Sequence, residues 1–122
     1  MDQDLFEQFV IDAYEQLPAF FKDRLDNVVV VVEDWPDRET LRSIGAKSPH
    51  ALLGFYHGVP QSVRNGNYGL VTPDKISIYR RPIEAQCRTT EQVRGLVKRV
   101  LLHEVAHHFG IGDDRLEELG AY

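Results

Sequence analysis

Two imidazoles four residues apart, His103 and His107, with a carboxylate beside the first, Glu104, stand in the stretch LLHEVAHHFGIGDD from Leu101 to Asp114. On a helix, positions four apart differ by about 40° in direction and one turn in height, so both imidazoles can reach one ion. Glu104 stands about 100° round from His103, beside the same face, where its carboxylate can hydrogen-bond a water at the ion without ligating it. That is the position of a general base. Zinc suits such a set, because it takes three protein ligands at about 2.0–2.2 Å and leaves a fourth position for a water whose pKa it lowers to about 7.

The next turn of the same helix carries Gly110 where a third side chain would be needed. A glycine there can end the helix in a left-handed cap and let the chain double back, which brings Asp113 toward the ion as the third ligand. The competing reading makes Asp113 or Asp114 the cap of a last helix, DRLEELGAY. Asp114 with Glu117 three residues on already forms a capping pair, which leaves Asp113 for the metal. Glu117 and Glu118 are the substitutes for Asp113, although a solvated helix face accounts for both. His108 points about 100° away from His107 and should miss the ion, lying at the surface or hydrogen-bonded behind the ligands. Without a metal, the cluster would put three polar residues on a core helix, each needing its own partner.

The elements that must hold this cluster are legible in the hydrophobic spacing. Leu5, Phe6, Phe9, Val10, Ala13 and Leu17 recur every three or four residues, an amphipathic helix over 4–17 stopped by Pro18. NVVVVVE, 27–33, reads as a strand covered on both faces. The turn-rich segment 34–49 contains one short helical turn over 39–44. ALLGFY (51–56) and ISIY (76–79) are two further strands, joined by a Gly-, Asn- and Pro-rich loop that either rims a cleft or is a plain hairpin connection. After Pro82 the chain runs to Thr89, which caps the main helix with Gln92 bonding back. From Leu96 to Phe109 that helix is apolar nearly all round, so it belongs at the centre of the core. The order predicts a single α+β domain over 1–122, with a small mixed sheet packed on an N-terminal helix and a central active-site helix, and a short C-terminal helix.

Composition narrows the function classes. A chain of 122 residues, 43% hydrophobic, has room for one modest core. A net charge of −5, with Arg80-Arg81 and Lys98-Arg99 as isolated pairs, argues against a nucleic-acid surface. The acidic, amphipathic N-terminus lacks the features of a signal peptide, and no run approaches the roughly 18 apolar residues of a membrane span, which predicts a cytoplasmic protein. The single Cys87 cannot form an internal disulfide.

HEVAHHFGIGD matches HExxHxxGxxD, and together with LLGFYHGVP and ISIYRRPIE it resembles the minimal-zincin family, small bacterial metallopeptidases formerly catalogued as a domain of unknown function. The likeness runs from about Asn27 to the C-terminus. It implies zinc held by His103, His107 and Asp113, Glu104 as catalytic base, and a stripped-down zincin fold with a small mixed sheet over the active-site helix. The motif is also similar to that of metzincins, but Asp113 replaces their third His and the only Met is Met1, so no Met-containing turn lies beneath the metal. Nine residues after Asp113 are too few for a lower lip of the cleft. The expected cleft is therefore open, or completed by a protein partner or a second copy of the chain.

The expected function is hydrolysis of a peptide or protein substrate by a zinc-activated water. The alternative is a zinc-binding module that holds a peptide or partner without cutting it. Oxyanion donors beyond zinc would come from His57, Tyr68, Tyr79, Arg81 or Tyr122, among which the sequence does not choose.

Overall fold

Valine side chains branch at Cβ and suit a pleated backbone, and the run Val28–Val32 forms strand β1 (Val28–Glu33), entered through Asn27 at a left-handed φ of 59°. The structure is a computed structural model that describes residues 1–58, 74–112 and 115. Two further strands, β2 (Gly54–His57) and β3 (Asp74–Tyr79), complete a sheet of order β1-β3-β2. β1 runs parallel to β3, with Val30 opposite Ile76, and β2 runs antiparallel to it, with Tyr56 opposite the same residue. With its helices this mixed sheet makes the chain α+β.

Alternation along the strands divides the sheet into two faces. Val28, Val30, Val32, Ile76 and Ile78 join the main core, whereas Val29 is 45% exposed on the opposite face. The sequence reading of β1 as covered on both faces is therefore wrong. Among the described residues β1 is an edge strand, and the central strand is β3, whose Ile76, Ser77, Ile78 and Tyr79 are all buried.

The main core lies between the sheet and two long helices, α1 (Gln3–Glu15) and α5 (Thr90–His108). Asp2 caps α1 by accepting from the Asp4 N–H, and Phe6, Phe9, Val10 and Ala13 form its buried stripe. α1 ends two residues earlier than the apolar spacing suggests, and Pro18 opens the short α2 (Ala19–Lys22) instead. Asp37 caps α3 (Arg38–Ser43), and the Thr40 N–H it accepts holds its carboxyl below the usual range. Pro49–Ala51 is a 3₁₀ turn, so the strand expected from Ala51 begins only at Gly54.

Helix α4 (Arg80–Ala85) was not expected. Its first residue, Arg80, is buried, with Nε 3.0 Å from Asp34 and Nη1 3.4 Å from Glu84. Arg80-Arg81 is thus not an exposed cation pair. Thr89 caps α5 as expected, accepting from the Gln92 N–H at 3.1 Å, but Gln92 bonds back to the N–H of Arg88, one residue before the cap. At the other end Gly110, at φ 75°, donates to His107 and Ile111 donates to Ala106, the paired bonds of a Schellman stop. Among the described residues no helix is long and apolar enough to cross a membrane.

Candidate metal centre

His103, Glu104 and His107 lie together on the last two turns of α5, and one potential ligand atom from each falls within 4.8 Å of the others. The two imidazole rings are 4.5 Å apart between centroids. His107 Nδ1 is 3.3 Å from Glu104 Oε1, and Glu104 itself is only 7% exposed. Two nitrogen donors one turn apart, with a carboxylate alongside, fit the donor preference of zinc. Asp113, the expected third ligand, lies outside the described residues, as does the capping pair Asp114 and Glu117. Glu118 and the C-terminal helix beyond Arg115 lie outside them too.

Close approach of α5 to the sheet depends on Gly54. A Cβ there would stand 2.6 Å from Val100 Cγ1 and 3.3 Å from Glu104 Cγ. The missing side chain lets the helix seat Glu104 directly against β2, and Glu104 is buried on that side. Gly54 and Tyr56 therefore face α5, while Phe55 and His57 turn to the other face, where His57 Nε2 lies 3.3 Å from Ser77 Oγ.

Behind the cluster a buried polar network ties the end of α5 to the sheet. Asp74, 2% exposed at the start of β3, accepts from Tyr56 Oη at 2.6 Å and contacts His108 Nδ1 at 3.1 Å. A carboxylate only accepts, so this contact sets His108 in the Nδ1–H form. His108 is fully buried, its ring edge-on to Tyr56, which removes the surface reading of this residue. Neither Asp74 nor Tyr56 was singled out from sequence. Tyr56 ends ALLGFY, whereas Asp74 stands two residues before ISIY, in a strand that starts earlier than the apolar run shows.

Among the described residues, the expected oxyanion donors His57, Tyr79 and Arg81 do not gather at the cluster. His57 faces away from α5, and burial, followed by the Lys75 charge, lowers its pKa. Tyr79 is 1% exposed on that same far face; burial pushes its phenol up to about 12, against hydrogen bonds to Ser77 and Thr40 that pull it down. Arg81 is exposed and pairs with Glu84 at 3.6 Å. Tyr68 and Tyr122 lie outside the described residues.

His103 and Glu104 line a cleft of about 530 Å³. Leu52, Leu53 and Gly54, entering β2, an edge strand among the described residues, line it too, as do Leu96, Arg99 and Val100 of α5. A helix bearing His, Glu and His beneath the edge of a small mixed sheet is the layout of a zincin. The family model described as Zincin-like metallopeptidase matches residues 25–121, and the chain belongs to that family. Zinc is the metal that this membership implies. No curated protein matches the chain at a significant level.

Proposed function

We propose that the protein hydrolyses peptide bonds, with His103, His107 and Asp113 as zinc ligands and Glu104 as general base. The observation that carries this reading is the place of His103 and Glu104 on the wall of a cleft shared with the edge of the sheet. An extended peptide can add to the β2 edge by backbone pairing, which holds its carbonyl over the cluster. Bound zinc supplies a Lewis acid that polarises a carbonyl and acidifies water. Glu104 accepts a proton from the attacking water on a carboxylate oxygen and returns it to the leaving amine, so that the peptide nitrogen departs neutral. Burial of Glu104 against β2 limits its motion and keeps that oxygen beside the two imidazoles.

Glu104→Gln keeps the size of the side chain and removes the base. The expected outcome is unchanged zinc content with turnover reduced by about 10²-fold or more. Turnover at the wild-type rate rejects the mechanism. Asp113→Ala should lower zinc content sharply by elemental analysis, and an unchanged content removes Asp113 from the ligand set.

A further inference from the structure

The cleft does not end at the cluster. A second cavity of about 490 Å³, lined by Gln86, Cys87, Gln92, Gly95, Leu96 and Arg99, shares Gln86, Leu96 and Arg99 with the first. The two adjoin along one face of α5, where Gln92, Leu96, Arg99 and His103 follow at three- and four-residue steps. From Gln92 to His103 that face is about 16 Å long, which about five residues of extended peptide would span.

Arg99 stands where the two cavities meet. Its side chain is exposed, and among the described residues it forms no ion pair. Among the described residues it is the only Lys or Arg lining either cavity. The neighbouring walls, Leu52, Leu53, Leu96 and Val100, are apolar. A guanidinium offers paired donors that match a carboxylate, and apolar walls on either side leave it as the anion's partner there.

We infer that Arg99 is a specificity-determining residue that binds a peptide carboxylate about two residues from the cleaved bond. The spacing follows from the rise of α5, which puts Arg99 about 6 Å along the axis from His103. Gln86, also shared by both cavities, adds an amide on the far wall. The carboxylate belongs either to an acidic side chain or to a peptide C-terminus. The inference rests on the peptidase reading of the site.

The test separates the two readings by measuring binding apart from cutting. Zinc-loaded Glu104→Gln protein is titrated with fluorescent hexapeptides in which Glu replaces Gln at each position in turn, and with neutral hexapeptides ending in acid or amide. Glu in one register, or a free C-terminus, should tighten binding about 5- to 10-fold over the neutral peptide. Adding Arg99→Gln should erase that preference, and Arg99→Glu should transfer it to Lys-containing peptides. An interior preference identifies an acidic side chain as the occupant, and a preference for acid over amide identifies a chain end. No preference, a preference that survives Arg99→Gln, or no binding by any peptide overturns the assignment. Cleavage of the neutral peptide by wild type without a carboxylate preference overturns the Arg99 subsite alone. A preference without cleavage by wild type keeps the subsite and overturns hydrolysis.

Discussion

At Asp74, a single carboxylate joins three elements, because Tyr56 on β2 and His108 at the end of α5 both contact an oxygen at the head of β3. Asp74→Ala takes that acceptor from the fully buried His108 and the half-buried Tyr56, a change that in low dielectric costs more than the bonds themselves contribute. We expect the metal-free variant to lose about 3 kcal/mol in urea unfolding. Asp74→Asn should lose less, since its amide oxygen still accepts one bond. A loss below about 1 kcal/mol for Asp74→Ala would mean that the network adds little to the fold. None of this was legible beforehand, for a physical reason. Tyr56 and His108 lie 18 and 34 residues from Asp74 in sequence, and buried polar pairs at such separations follow no periodicity. The cluster itself was legible because His103, Glu104 and His107 sit on one helix, where spacing alone fixes direction.

Among the elements, the seam between β2 and α5 sets how near Glu104 comes to the sheet. Gly54→Ala places a Cβ 2.6 Å from Val100 Cγ1, so the helix must shift or the strand must bend. Overpacking of this kind costs about 1–3 kcal/mol. Because Glu104 lies on the same seam, turnover should fall by a larger factor than zinc content, a split that paired activity and metal measurements would show. Equal losses in both would reduce Gly54 to a packing residue. Thr89→Ala, at the far end of α5, should cost about 1 kcal/mol by removing the cap while leaving zinc content unchanged. α5 was readable because both of its stops are local: Thr89 at one end and Gly110 at the other. α4 was not, because Pro82 looked like a break. Proline is tolerated in the first turn of a helix, where N–H groups have no helical partner, and Pro82 is the third residue of α4. β1 and β3 were both recognisable as strands, but which of them is central depends on pairing across more than 40 residues, and a valine run carries no record of that.

For the molecule as a whole, folding and metal binding should be linked through protons, and two groups of imidazoles separate by whether their contribution needs zinc. The pKa of His57 is lowered by burial and then by Lys75. A His with a depressed folded pKa binds more protons unfolded than folded as pH falls below its usual value of about 6.5. Its contribution is therefore complete above that value and is lost as pH falls toward the folded pKa. Chelated protein should lose stability in that window, and His57→Asn should flatten the loss. Zinc adds a second, independent dependence, because His103 and His107 must be neutral to ligate. The stability gained on zinc loading, taken as the difference between loaded and chelated protein, should be full near pH 7.5 and should vanish as pH falls below about 6. Proton release on zinc addition, measured in weakly buffered solution, should rise over the same range. His57→Asn should leave most of this difference curve in place, since its ring shares the far face with Ser77 and reaches the site only through the charge of Glu104. A zinc-dependent gain that persists unchanged to pH 5 would exclude imidazole ligation at His103 and His107 and put the metal on carboxylates instead.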